Sequence, residues 1–209
     1  LVSKLILLAI ARSFGVKSKL DLHLADGDDL ATFTMRHDDS LRCMIQKEDQ
    51  TEDTIRSVTV NPDGRITPND LPEGAVLPGS FDPLHAGHEK LARTGSKVLG
   101  MDVILEMSIV NVDKASLSTE ELRGRLKQFY GKLTVVVTMT PTFTEKAGIF
   151  PGRVFIIGLD TAVRLIDPSY NGGEAGVIKA LSHIRDSGCR FLVAGRESGK
   201  VFRTLDDMI

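Results

Sequence analysis

The sequence predicts an α/β fold: a Rossmann-like parallel sheet with helices on both faces, preceded by a small α+β region at the amino terminus. Three observations lead to this prediction. Uncharged, β-branched runs recur along residues 73–209, and such runs are typical of strands buried on both faces. Helix-length segments separate these runs, which implies parallel strands joined by right-handed crossovers. Residues 1–72 lack this alternation and carry acidic clusters and turn signals instead.

Residues 1–72 are interpreted as a separate region, a helix followed by a small β meander. The opening helix at residues 2–14 resembles the end of a competence-damage-protein-like domain, which implies that this region is the end of an upstream domain. Residues 2–14 are expected to form a buried helix; the apolar run after Lys4 resembles a signal peptide but is too short to span a bilayer. Short strands of a small meander are expected at residues 31–36, 41–46 and 55–60. Because the sequence begins at Leu1 rather than Met, we expect further residues upstream.

Residues 73–209 are expected to form the α/β domain. A strand at residues 75–78 leads to a helix over residues 85–99, which Gly100 ends. A β-rich run follows, and then a helix capped by Ser118 or Thr119. The β-rich run covers residues 102–112. The remaining elements are strands at 133–139, 154–158 and 191–195 and a helix at 174–187.

Composition limits the kind of protein. The chain has 209 residues and is 42% hydrophobic, an ordinary balance for one or two globular domains. Lys and Arg total 26 against 28 Asp and Glu, so no basic excess indicates a nucleic-acid surface. Cys43 and Cys189 lie far apart without partners at ligand spacing, so neither a disulfide nor a metal site is expected. We expect a cytoplasmic protein without membrane association.

The residues best placed for chemistry are 79–88, Gly-Ser-Phe-Asp-Pro-Leu-His-Ala-Gly-His. They follow the first strand of the alternating region, and open parallel sheets bind ligands beyond the carboxyl ends of their strands. Gly79 lets the backbone approach a phosphate, and a helix start near His85 offers unpaired N–H groups to an anion. His85 and His88, three residues apart, fall on one side of the first turn. The pattern predicts a triphosphate site, against the alternative of two surface histidines on an ordinary helix.

This segment resembles the His-x-Gly-His signature of the cytidylyltransferase-like nucleotidyltransferase superfamily. The resemblance implies transfer of a nucleotidyl group from a nucleoside triphosphate, with release of pyrophosphate and with Mg²⁺ carried by the triphosphate. It implies that His85 and His88 are catalytic donors to the phosphate oxygens. It also implies nucleotide contacts by Gly79, Ser80 and Phe81.

Two further segments, residues 108–114 and 158–161, resemble parts of nicotinamide-mononucleotide adenylyltransferase-like proteins. The resemblance implies that ATP is the donor and that the acceptor is a small molecule bearing a phosphate. Asn111 and Lys114 would bind this substrate, and the nucleotide would contact Gly158, Asp160 and Thr161. The simpler alternatives are a solvated loop lysine at 114 and an ordinary helix-start aspartate at 160.

The chain also departs from these relatives. It has no tryptophan to stack on a base, although Phe143 or Tyr170 could replace one. No Ser-x-Thr-x-x-Arg phosphate motif follows Gly195, so we expect the natural chain to extend past Ile209. A nucleotide-binding sensor stays open as the alternative function; an aminoacyl-tRNA synthetase fragment fits the charge and length poorly. The sequence does not decide whether the donor is ATP or CTP, which molecule is the acceptor, or whether the protein forms a homo-oligomer.

Overall fold

The computed structural model describes residues 39–46, 55–110, 117–198 and 201–204. These residues belong to one compact unit, residues 36–209. The helix expected at residues 2–14 and the strand expected at 31–36 lie outside the described residues.

A seven-stranded sheet forms the centre of the unit, in the order β2-β1-β5-β4-β3-β6-β7. Strands β3 to β7 are parallel to their neighbours among themselves, whereas β1 runs antiparallel to β2 and β5. The predicted Rossmann-like α/β fold is confirmed. The strands are β1 (Ser57–Val60), β2 (Ile66–Pro68), β3 (Ala75–Pro78), β4 (Val103–Ser108), β5 (Val135–Thr138), β6 (Val154–Gly158) and β7 (Arg190–Ala194).

Helices alternate with the parallel strands, and those expected at residues 85–99, after Ser118 and at 174–187 are present. Gly100 ends the helix after β3 in the left-handed conformation, with φ of 66°, and Ser118 caps the helix after β4. The helices are α1 (Asp39–Gln46), α2 (Ala86–Leu99), α3 (Thr119–Leu126) with a 3-10 turn at Lys127–Phe129, α4 (Phe143–Ile149), α5 (Leu159–Ile166), α6 (Pro168–Asn171) and α7 (Glu174–Asp186).

Two expectations for the amino-terminal region are corrected. Residues 41–46, expected as a strand, lie in helix α1, where Leu41 and Met44 are buried in the core. Leu41, Met44 and Ile45 lie on one helical face, and a short apolar run of this kind also fits a strand. The expected strand at 55–60 exists as β1, but it pairs with β5 rather than only within a separate meander. Strands on both sides of residue 72 therefore share one sheet.

The core lies on both faces of the sheet. Side chains alternate across β5, so that Val135 and Val137 join one buried cluster and Val136 joins the other. Helices α2 and α3 cover the first face, and α4 and α7 cover the second. None of the helices in the described part of the chain has the length and apolar character needed to cross a membrane.

The order of strands reverses near the centre of the sheet, the point at which open α/β sheets have their ligand crevice. The chain proceeds from β3 through β4 to β5 on one side and from β6 to β7 on the other. Strands β3 and β6 are neighbours at the point where this order reverses. Ligands of open α/β sheets bind beyond the carboxyl ends of the strands at such a point. Residues 79–88 follow β3 and residues 159–161 follow β6, so both predicted segments flank the crevice.

After β7 the chain forms a small separate sheet. Strands β8 (Arg196–Ser198) and β9 (Val201–Arg203) pair in the antiparallel direction. The described residues directly after β7 are therefore extended rather than helical.

Candidate functional site

The loop after β3 begins at Gly79, whose N–H donates to the Glu106 carbonyl at 2.9 Å. A Cβ at Gly79 would lie 2.8 Å from the ring of Phe81. Only glycine therefore allows that ring to fold back beneath the loop. Phe81 is fully buried and has a φ of 45°, a left-handed conformation that is uncommon for any residue except glycine. The loop is therefore fixed from inside the protein.

His85 is the N-cap of helix α2, in an extended backbone conformation. Its Nδ1 accepts the N–H of Gly87 at 3.1 Å, and the Nδ1 of His88 accepts the N–H of His85 at 3.3 Å. Because both Nδ1 atoms are acceptors, the neutral rings carry their protons on Nε2. The two rings stack with centroids 3.8 Å apart. The first turn of α2 thus presents two Nε2–H donors side by side.

The position between the two histidines, residue 87, requires a glycine. A Cβ at this position would lie 2.9 Å from the ring of His85. A larger residue would push the imidazole away from the N–H that it caps. The glycine of the His-x-Gly-His pattern therefore has a local steric cause.

Burial makes the two rings chemically different. His85 is exposed, whereas His88 is half-buried and meets the ring of Phe81 edge-on at 5.0 Å. Burial, followed by repulsion from His85, lowers the pKa of His88 below the ordinary histidine value. His88 therefore stays a neutral donor under conditions where an exposed histidine begins to charge.

The segment after β6 forms the other side of the crevice. Gly158 caps α5 through its extended backbone, and no side chain covers that end. Asp160 lies in the first turn of α5, where its exposed carboxylate pairs with Arg196, also exposed. Thr161 follows, half-buried. The sequence did not predict Arg196, which reaches Asp160 from the segment after β7.

The other residues predicted for the site differ in where the structure places them. Asn111 and Lys114 lie outside the described residues, so their roles stay predictions. Phe143 packs edge-on against Phe155 and another aromatic ring of the core, so it is a core side chain rather than an exposed stacking platform. Tyr170 is 56% exposed on α6.

The sequence reasoning missed two polar side chains that contact the loop. Arg125 and Gln128 end α3 and its 3-10 turn, and both make hydrogen bonds to residues 80–84. The sequence gives only a weak indication of this role, because two polar residues three positions apart on a helix usually lie on a solvated face.

A buried ion pair was also missed. The Lys146 ammonium lies 2.7 Å from the Glu106 carboxylate, and both side chains are almost wholly buried. The Thr138 hydroxyl donates to the same carboxylate at 2.6 Å. The signal was available, because Glu106 is a charged residue inside an otherwise apolar strand. This pair links β4, β5 and α4 just below the carboxyl edge of the sheet.

Elsewhere in the described residues, support for a functional site is weaker. No three His, Cys, Asp or Glu side chains there lie together as metal ligands. A cavity of about 470 Å³ is lined by Glu89, Arg93, Asp102 and Lys132 among others. It lies between α2 and the amino ends of β4 and β5, at the opposite edge of the sheet from the two histidines, and its volume alone does not make it the reaction site.

Comparison with known families agrees with this geometry. The family model described as Cytidylyltransferase-like matches residues 76–203, which is more than half of the chain. The match extends from β3 to β9 and includes both segments that flank the crevice. No curated protein matches the chain significantly.

Proposed function

Since the chain belongs to the cytidylyltransferase-like family, we propose that it is a nucleotidyltransferase whose triphosphate site is formed by residues 79–88. The observation that carries this proposal is the pair of stacked imidazoles on the first turn of α2. Their Nε2–H groups lie beside one another at the N-terminus of α2, whereas the N–H groups of Gly87 and His88 are already bonded to His85. Several preorganised donors at a helix N-terminus suit the oxygens of a polyphosphate.

The proposed reaction is an in-line displacement at the α-phosphorus. An oxygen of the acceptor's phosphate forms the new P–O bond, the bond from the α-phosphorus to the bridging oxygen breaks, and pyrophosphate leaves with that electron pair. The acceptor oxygen is already ionised, so no protein base is required. His85 and His88 donate to the oxygens on which charge accumulates, and the rigid loop holds the triphosphate in place. Mg²⁺ is expected to arrive with the triphosphate, whose oxygens are its preferred ligands.

The finer assignments follow from the resemblance of two segments. We propose ATP as the donor and a phosphate-bearing small molecule, similar to nicotinamide mononucleotide, as the acceptor. Asn111 and Lys114 would contact the acceptor, and Asp160 would accept a ribose hydroxyl. The ion pair with Arg196 uses Oδ2 of Asp160, which leaves Oδ1 on the other side of the carboxylate for that contact.

A nucleotide sensor is the second candidate. It is favoured by the residues directly after β7, where the paired strands β8 and β9 carry no Ser-x-Thr-x-x-Arg motif. A sensor would bind triphosphate without breaking it. Binding is measured by thermal stabilisation, about 2.7 kcal/mol when the ligand is at one hundred times its dissociation constant.

The experiment is a turnover screen of ATP and CTP against a set of phosphate-bearing acceptors, read as pyrophosphate release. The blank is the double variant His85→Ala/His88→Ala. We expect release that needs both a triphosphate and an acceptor, that prefers ATP, and that the blank loses. Thermal stabilisation by ATP without release under any combination would favour the sensor. Neither stabilisation nor release with any triphosphate would overturn both functions.

A further inference from the structure

Arg125 holds the first half of the loop that follows β3. Its guanidinium donates through Nη1 to the Ser80 carbonyl at 3.0 Å and through Nη2 to the Asp82 carboxylate at 2.8 Å. The Arg125 side chain is only 19% exposed, although Asp82 is largely open to solvent. A planar guanidinium with two fixed contacts restricts both the position and the orientation of its partner.

Gln128 holds the second half of the same loop. Its Oε1 accepts the N–H of Leu84 at 2.7 Å, and its Nε2 donates to the Phe81 carbonyl at 3.1 Å. A further bond from Nε2 to the Arg125 carbonyl, at 3.0 Å, fixes which way the amide points. Four loop residues in the range 80–84 are therefore held by two side chains, which we call the loop clamp.

The helix that carries the loop clamp is itself well anchored. Ser118 caps α3 in a reciprocal arrangement with Glu121, and Leu122 and Leu126 are buried in the core. Phe129, in the 3-10 turn, is buried and meets Phe81 edge-on at 5.5 Å. The clamp is therefore a rigid part of the protein, and the loop is the element that it orders.

A short chain of contacts connects the clamp to the catalytic candidates. Gln128 binds the backbone of Phe81, which is held in the left-handed conformation, and the Phe81 ring packs against His88. His88 in turn accepts the N–H of His85. Moving the Phe81 backbone would move the surface against which the His88 ring lies.

We propose that Arg125 and Gln128 are positioning residues, which set the place of Phe81 and thereby of the His88 donor in the triphosphate site. They do not touch the ligand. The proposal rests on the function proposed above only for its effect on triphosphate; the effect on His88 itself is independent of any reaction. The competing interpretation is that these bonds only join a helix to a loop and stabilise the fold.

The test compares Gln128→Ala, Arg125→Ala and Gln128→Glu with the matched control Lys127→Ala. Lys127 lies on the same turn and is exposed. The readouts on folded protein are exchange of the Leu84 amide hydrogen, the NMR titration of His88, and the Kd, kcat and kcat/KM for ATP. Gln128→Glu keeps an acceptor for Leu84 but loses the donor for Phe81, so it separates the two contacts.

We expect Gln128→Ala to speed exchange at Leu84, to return the His88 titration toward that of an exposed histidine, and to reduce kcat/KM for ATP by about 10²-fold. Arg125→Ala should act in the same direction, and Gln128→Glu should keep Leu84 protected while still displacing His88. Lys127→Ala should change none of these. A lower melting temperature with an unchanged His88 titration would overturn the proposal. If the wild-type protein neither binds nor turns over ATP while Gln128→Ala still displaces His88, the proposed function fails and the positioning role stands.

Discussion

The imidazole of His85 stacks on that of His88 with ring centroids 3.8 Å apart, and the backbone N–H of His85 donates to the Nδ1 of His88. Each ring is therefore held by the backbone through one nitrogen and offers the other as a donor. The contacts that start α2 also orient both Nε2–H groups, so one arrangement would serve both the helix cap and the proposed phosphate site.

Replacing either histidine by alanine should lower turnover far more than stability. Each change removes one preorganised donor, which costs about 10²–10³ in rate, and His85→Ala also removes a cap worth about 1 kcal/mol. Steady-state kinetics and chemical denaturation measure the two effects. His183→Ala, an exposed histidine on α7, is the control and should change neither. Unchanged turnover in both motif variants would refute the assigned roles.

Gly87→Ala should disable the site through sterics alone. The new Cβ would lie 2.9 Å from the His85 ring, so the ring must leave the Gly87 N–H that it caps. We expect weaker ATP binding, measured by calorimetry, and a displaced His85 in NMR spectra. Gly124→Ala is the matched control, since a Cβ there meets nothing within 4 Å and a helical alanine stabilises by up to about 1 kcal/mol. Equal ATP affinity in the two variants would show that the space beside Gly87 is not needed.

The lowered pKa of His88 predicts a particular dependence on pH. In the unfolded chain the His88 imidazole takes up a proton at about pH 6.5, whereas in the folded protein it does so only at lower pH. Between these values the unfolded state binds more protons, so this group reduces the free energy of unfolding as the pH falls. Bound triphosphate should raise the pKa of His88, because its negative charge favours the imidazolium. NMR titration with and without ATP measures both. A free-protein pKa at or above the ordinary value would contradict the burial argument.

Lys146→Met should destabilise the protein by about 3–5 kcal/mol, since it leaves the Glu106 carboxylate buried without its partner. Denaturant unfolding measures the loss. Lys132→Met, which breaks the more exposed pair with Glu89, is the control and should cost about 1 kcal/mol or less. The double variant Glu106→Gln/Lys146→Met should recover part of the loss. Equal effects in the buried and exposed pairs would show that the desolvated carboxylate is not the cause.

Much of the parallel sheet could be predicted, because most of its strand residues are apolar and often β-branched, and helices with clear caps separate the strands. Ser118 and Gly100 mark such boundaries directly. The prediction of a strand at residues 41–46 was wrong because a short apolar run fits both the helical and the strand periodicity. The helical face of Leu41 and Met44 is evident only once the core is known.

The placement of the two histidines could be predicted because both lie within a few consecutive residues. His85 and His88 share one helical turn, so their spacing alone placed them together. Gln128 contacts Leu84 across 44 residues of sequence, and Arg196 contacts Asp160 across 36. Contacts between separate loops depend on strand order, which no local pattern encodes.

The most direct test of the central claim follows the fate of each phosphate of ATP. The enzyme is incubated with a phosphate-bearing acceptor and with ATP that carries a radioactive phosphorus at either the α or the γ position, and the products are separated. Nucleotidyl transfer at the site of His85 and His88 should place the α-label in the acceptor product and the γ-label in pyrophosphate. The variant His88→Ala should reduce both by about 10²–10³-fold. Appearance of the γ-label in the acceptor or in inorganic phosphate, with the α-label remaining in ADP, would contradict the account.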